Sequence, residues 1–211
     1  MSIKLKHSGG NSVSLNPPTS APTSSEVAFK LPNADGSANQ LLKTDGSGNL
    51  GFVAQGVAGI TEFDYWYLSS STGNGVNADI TSGLLRNNHA AAPSQIGTGM
   101  TESSGIFTFP STGIYYIHAF VLFQGSSANY YNLAFYTTVD NSTYTQAVDT
   151  YTFTQDDNDY AHTSGTFIFD VTNTTTHKMK FGHRSASGGG SLQGATGDSS
   201  NAFTFMKLGD T

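Results

Sequence analysis

Turn-forming residues punctuate this chain at intervals too short for long helices, and that spacing limits its fold more than any other feature. Before residue 60, Asn16-Pro17-Pro18, Pro32-Asn33-Ala34-Asp35-Gly36 and Asp45-Gly46-Ser47-Gly48-Asn49 separate short apolar pieces such as Glu26 to Leu31 and Gln40 to Lys43. Each Asp-Gly pair allows the positive φ that tight turns need, so residues 1–59 are expected to zigzag as short extended pieces. Alone they cannot bury a core. Wrapping around identical copies would let each chain's few apolar side chains close against its neighbours, as in a homotrimeric shaft. A disordered linker is the alternative, which the run from Ser20 to Ser25 permits.

After Gly59 the apolar stretches lengthen and take on the period of strands. Phe63 to Leu68, Gly105 to Phe109, Ile114 to Phe123, Tyr130 to Val139, Ala147 to Phe153, Gly165 to Val171, His177 to His183 and Ala202 to Leu208 are the expected strands. The loops between them are rich in Gly, Ser and Asn, including Gly73-Asn74-Gly75 and Ser185 to Gly190. Eight strands of this spacing fit two packed sheets, so residues 60–211 are expected to form an all-β sandwich or jelly roll.

Charge and composition exclude several functions. With nine Lys and Arg against fifteen Asp and Glu, the net charge is −6, and the basic residues are spread thinly. Binding to nucleic acid draws on clustered cations that release counterions, and the densest grouping here, Lys4, Lys6 and His7, sits at one end. The absence of cysteine removes disulfides, thiolate metal sites and a thiol nucleophile. No apolar run approaches bilayer length and the start lacks the pattern of a secretory signal, so the expectation is a protein made in a cytoplasm with no membrane insertion.

Two stretches carry family resemblances. Leu31-Pro32-Asn33-Ala34-Asp35-Gly36 followed by Gln40-Leu41-Leu42-Lys43-Thr44-Asp45-Gly46-Ser47-Gly48-Asn49-Leu50 resembles a module that recurs before the receptor-binding heads of phage and marine-virus tail-fibre proteins. Gly105 to Ile117 resembles the signature of the complement C-one-q and tumour-necrosis-factor jelly-roll superfamily, with Phe107, Gly113 and Tyr115 at the expected positions. In that pattern Gly113 turns into a central strand while Phe107 and Tyr115 pack between the sheets. Ile117, Ala119 and Met100 depart from it, each standing where another residue is usual. The second resemblance implies a compact homotrimer, and it does not identify a ligand.

Candidate sites follow from residue chemistry. Tyr130 and Tyr131, bordering a Gly-Ser-Ser loop, and Trp66, between Tyr65 and Tyr67, could offer rings that stack on sugar faces. The alternative is that these rings are core or subunit packing. Asp156, Asp157 and Asp159 form the densest acidic cluster, rich enough in oxygen to hold calcium, or else a solvated loop. His118 could meet its copies on a trimer axis and bind a metal ion there, or be a hydrogen-bonded core histidine. No cofactor is required, and no Gly-x-Ser-x-Gly elbow or phosphate-binding loop supports catalysis.

The combined expectation is a non-enzymatic virion fibre of a bacterial virus, assembled in the host cytoplasm. Its N-terminal segment would join other virion structural proteins, and its trimeric head would attach to a host surface glycan or protein. A structural head fibre or decoration protein without receptor affinity is the alternative, and a polysaccharide depolymerase is a third reading.

Overall fold

The computed structural model describes residues 3–16, 18–24, 26–55, 59–73, 78–89, 93–126, 129–186, 189–196 and 200–211. Pro17, Ser25, Asn74, Gly75, Ser187 and Gly188, which belong to expected turns or loops, lie outside the described residues. The chain divides into two compact units, Met1–Ala58 and Gly59–Thr211.

In the first unit β1 (Ile3–Lys6) and β2 (Ser12–Leu15) form one antiparallel hairpin, and β3 (Gln40–Thr44) and β4 (Leu50–Ala54) form another. The second hairpin closes through Asp45. Its Oδ1 accepts the backbone N–H of Ser47 at 2.8 Å and of Asn49 at 3.2 Å, while Oδ2 accepts the Asn49 side-chain amide at 2.6 Å. Gly46 and Gly48 follow with φ of 82° and 86°, values that favour glycine. The other Asp-Gly pair behaves differently from expectation. Gly36 is not among the positive-φ glycines, and its missing side chain instead admits the Phe52 ring, whose Cγ would lie 2.6 Å from a Cβ there. Ile3, Leu5, Leu15, Val27, Phe29 and Leu31 are all between 55% and 78% exposed.

The second unit is built from two antiparallel sheets with the core between them. One sheet runs in the order β10 (Thr101–Ser103), β11 (Ile106–Thr108), β16 (Lys178–Ser185), β13 (Asn129–Thr138), β14 (Thr145–Thr154), with β7 (Ala78–Asp79) also paired to β16. The other runs β6 (Thr72–Gly73), β17 (Ser191–Leu192), β12 (Gly113–Gln124), β18 (Ala202–Gly209), β5 (Phe63–Leu68), β8 (Leu84–Arg86), with β15 (Tyr160–Val171) on the far side of β12 and β9 (Gln95–Ile96) beside β5. From β11 onward the chain passes from one sheet to the other at β11 to β12, β12 to β13, β14 to β15, β15 to β16 and β16 to β17, and stays within a sheet at β13 to β14 and β17 to β18. That is the winding of a jelly roll. Each of the eight expected strands is present, and the short β6 to β10 and β17 are additions that the sequence pattern did not mark.

Strand β12 shows why the sheets hold together. Its residues alternate without exception between buried and half-buried along its length. Tyr115, Ile117, Ala119, Val121 and Phe123 point into the core, while Tyr116, His118 and Phe120 point outward. Full pairing on both sides, with β15 and β18, fixes this alternation, because a slip of one residue would reverse every side chain. Phe107 from the opposite sheet fills the middle of the core, with ring centroids 5.4 Å from Trp66, 5.7 Å from Phe181 and 4.9 Å from Phe205. Such aromatic pairs contribute about 0.5–1.5 kcal/mol each beyond their burial. Tyr115 packs on Phe109 at 4.8 Å and donates its hydroxyl to the Ser111 carbonyl at 3.1 Å. Gly113 enters β12 with a φ of 148°, and a Cβ there would lie 2.6 Å from the Gly209 carbonyl oxygen. Phe107 and Tyr115 are thus core residues, and Gly113 opens the central strand.

An ion pair between buried Asp64 and half-buried Arg86 ties one edge of the second sheet. Asp64 on β5 accepts from Arg86 Nε at 2.8 Å and Nη2 at 2.9 Å, and from the Met100 backbone N–H at 2.6 Å. Arg86 returns a bond to the Met100 carbonyl at 2.7 Å and lies 4.7 Å above the Trp66 ring. Asp64 holds the guanidinium pKa above its ordinary value, with burial opposing.

Two predictions test this architecture. Replacing Phe107 by Ala opens a cavity at the meeting point of both sheets, and denaturant unfolding is expected to show a loss of about 3–5 kcal/mol. The turn after β13 depends on Asp140, whose Oδ1 accepts from Thr138 Oγ1 and from the Ser142 and Thr143 backbone N–H at 2.7–2.8 Å. These bonds, led by that from Thr143, lower its pKa from 3.8 to about 2. Because the folded value lies below the unfolded one, the contribution is complete above about pH 4 and disappears as pH falls towards 2. Asp140→Asn should therefore flatten the acid limb of stability against pH across that window, as read by thermal unfolding.

Candidate functional site

The outer face of the β11–β16–β13–β14 sheet gathers aromatic, amide and cationic side chains. Strand pairing brings them together. Tyr130 of β13 lies opposite Phe153 of β14, and Asn132 stands between Tyr151 of β14 and Arg184 of β16. Tyr130 and Tyr151 meet edge to face with centroids 5.8 Å apart. The Arg184 guanidinium lies 5.9 Å from the Tyr130 ring and 5.6 Å from the Tyr151 ring, within cation–π range.

One hydroxyl organises the group. Tyr151 accepts from Arg184 Nη2 at 2.6 Å and donates to Asp149 Oδ2 at 2.7 Å. Donation to the carboxylate pushes the Tyr151 pKa up, because ionising the phenol would place two anions together. Arg184 Nε is buried with no hydrogen-bond partner. The ion pairs among the described residues join Arg86 to Asp64, Lys180 to Asp79 and Lys207 to Asp210, and so do not neutralise Arg184.

Beside this group is a cavity of about 180 Å³, lined by Ala78, Asp79, Asn132, Tyr136, His183 and Arg184. It lies where β16 carries Gly182, at which a Cβ would stand 2.9 Å from the Tyr136 ring and 3.2 Å from the Ala78 carbonyl oxygen. Lys180 on the same strand binds Asp79 at 2.6 Å and faces the Tyr144 ring at 4.8 Å. His183 is almost wholly buried and its Nδ1 has no partner; burial pushes its pKa down, with Asp79 pulling the other way.

The residues singled out in the sequence fare differently. Tyr130 is 40% exposed and belongs to this face. Tyr131, its neighbour, is fully buried: it stacks on Phe123 at 5.1 Å, and its hydroxyl accepts the Ser126 N–H at 3.1 Å. Strand alternation sends the two rings to opposite faces, so Tyr131 is a core residue and has no access to a receptor. Trp66 is 8% exposed, held between Phe107 and Arg86, and is likewise corrected to a packing residue.

The metal candidates are not assembled within one chain. Among the described residues no group of three or more His, Asp or Glu side chains is placed to hold a metal ion. Asp159 Oδ2 instead accepts the backbone N–H of Gln155 at 3.2 Å and of Asp156 at 3.0 Å, which caps its own turn, while Asp156 and Asp157 are exposed. His118 is not a core histidine. It faces outward from β12 between Tyr116 and Phe120, with ring centroids at 6.5 and 6.3 Å. Tyr151, Phe153, Asn132 and Arg184 were not singled out by sequence reasoning. The alternation of Tyr151 and Phe153 within Ala147 to Phe153 was the available signal, but their proximity to Tyr130 needs the register.

No protein-family model matches the chain, and no curated protein does. Among solved structures it is similar to murine APRIL at pH 5.0, with a TM-score of 0.51 and 12% identity over 70% of this chain and 98% of that one. Eiger TNF from S. frugiperda follows at 0.48 and 10%, over 71% and 94%. PRD1 vertex protein P5 is also similar, at 0.44 and 17%, over 72% and 99%. At such identities the likeness concerns fold alone, and with the strand order above it makes the second unit a jelly roll.

Proposed function

We propose that the chain is a virion fibre protein of a bacterial virus, a homotrimer that attaches without catalysis to a glycan or protein on the host surface. The first unit would join other virion structural proteins, and the jelly roll would carry the receptor contact. The observation that supports trimerisation is the distribution of apolar side chains. A unit of the size of Met1–Ala58 that leaves Ile3, Leu5, Phe29 and Leu31 mostly exposed has no sufficient core of its own. Its apolar surface calls for a partner, and copies of the same chain supply one at equal concentration.

The jelly roll has a matching feature. In the outward row Tyr116, His118 and Phe120 on β12, Tyr116 stands between exposed Ile168 on β15 and half-buried Met206 on β18. Apolar and aromatic groups gathered on one sheet face mark an interaction surface better than scattered ones do. The tail-fibre module at Leu31 to Leu50 supports the viral assignment, and the aromatic and cationic face at Tyr130 supports a receptor contact. Three such faces on one particle would raise weak single-site affinity through avidity.

Light scattering at dilute concentration is the test of assembly. The expected mass is that of three 22.2 kDa chains, and Phe120→Glu is expected to yield folded monomers by placing three charges at the covered face. A wild-type monomer would overturn the fibre reading. A trimer without affinity for any host envelope would instead favour a structural head fibre or decoration protein.

A further inference from the structure

We infer that the face formed by Tyr130, Tyr151, Phe153, Asn132 and Arg184 binds a carboxylate-bearing sugar residue of a bacterial surface polysaccharide. This inference rests on the attachment reading and narrows it to one ligand chemistry. It starts from an imbalance of charge. In a chain of net charge −6, Arg184 is a cation without a direct carboxylate partner among the ion pairs of the described residues, set between two rings on an outward sheet face. Asp149 reaches it only through the Tyr151 hydroxyl.

The parts divide the work of recognition. Tyr130 and Phe153 lie opposite each other across β13 and β14 and are both exposed, so they offer flat apolar surface to the C–H face of a pyranose. Arg184 presents a planar fork of donors, the geometry that matches a carboxylate with two parallel hydrogen bonds. Nε is buried without a hydrogen-bond partner and Nη2 donates to the Tyr151 hydroxyl, so the guanidinium is held in place while no direct carboxylate among the ion pairs of the described residues offsets its charge.

The adjoining cavity has room for part of a ligand. At about 180 Å³ it holds the volume of roughly six waters at about 30 Å³ each, enough for one substituent or ring. Its lining is polar: Asn132, Tyr136, Asp79 and Arg184 offer donors and acceptors to hydroxyl groups. A neutral sugar could use the rings and the cavity, but only an acidic one also neutralises Arg184.

The test uses the full chain against a panel of immobilised acidic capsular polysaccharides. Each is assayed native and after carbodiimide and borohydride treatment, which reduces uronic carboxyl groups to primary alcohols and leaves the rings intact. At least one native polymer should bind and lose tenfold or more in affinity on reduction. Arg184→Gln should lose a similar factor towards the native polymer and be insensitive to its reduction, with Arg184→Lys intermediate. Tyr130→Ala should weaken native and reduced forms alike, and Val139→Ala, exposed elsewhere, should change neither. Equal binding to native and reduced polymers, or preference for a phosphate-bearing teichoic acid alone, overturns the carboxylate inference and leaves attachment standing. Absence of binding to every polymer, and to whole envelopes, overturns both. Should Arg184→Gln lower the Tm, the reduction arm decides, since it leaves the protein unaltered.

Discussion

The closure of two sheets over Phe107 is the constraint on which the rest of the head depends. Phe107 contacts Trp66 and Phe205 of one sheet and Phe181 of its own, and Phe181 in turn meets Phe135 and Phe203 at 4.9 and 4.7 Å. Rings this large fit in few arrangements, so they select the register of β11, β16, β13, β18 and β5 together. Once the inward faces are fixed, the outward faces follow by alternation. The position of Arg184 between Tyr130 and Tyr151 is therefore a consequence of core packing on the opposite face of the same strands, and needs no loop to hold it.

The two units solve the same problem unequally. Between Gly59 and Thr211, apolar residues recur often enough on each strand to cover a continuous core. Between Ile3 and Ala54 the hairpins are too short and too widely separated by turns, and polar devices such as the Asp45 turn do the local shaping. Backbone pairing alone gives a two-stranded hairpin marginal stability in water. The difference lies in how much apolar area each stretch can remove from water within one chain.

Much of the fold was legible because its signals are local. Eight strands announced themselves by period, and Phe107, Gly113 and Tyr115 stand within nine positions of one another, so a single window carried the central turn and both core rings. The site was less legible because its parts are local in space only. Parity along β13 could say that Tyr130 and Tyr131 face opposite ways, but not which faces the core; that depends on Phe123 across the sandwich. Tyr151 and Arg184 are 33 positions apart in sequence, and the register shift between Phe135 and Tyr136 adds a residue that no periodicity count would place. The Asp64–Arg86 pair was hidden for the same reason. Asp35-Gly36 misled in the other direction, since a turn-forming dipeptide was used for a close ring contact.

A site built on strands also differs in energetics from one built on loops. A loop that orders on binding gives up conformational freedom, roughly 1–2 kcal/mol per backbone residue fixed. Here Tyr130, Tyr151 and Arg184 sit on paired strands, and the chain of hydrogen bonds from Arg184 through Tyr151 to Asp149 holds rings and guanidinium before any ligand arrives. Little freedom remains to be lost, so even a small contact can keep most of its interaction energy as affinity. The cost is adaptability: a rigid face recognises one geometry, and broadening it would require changing the residues rather than moving them. Were the chain to assemble as proposed, modest rigid sites would suffice, because the second and third contacts would form at the high effective concentration set by the first.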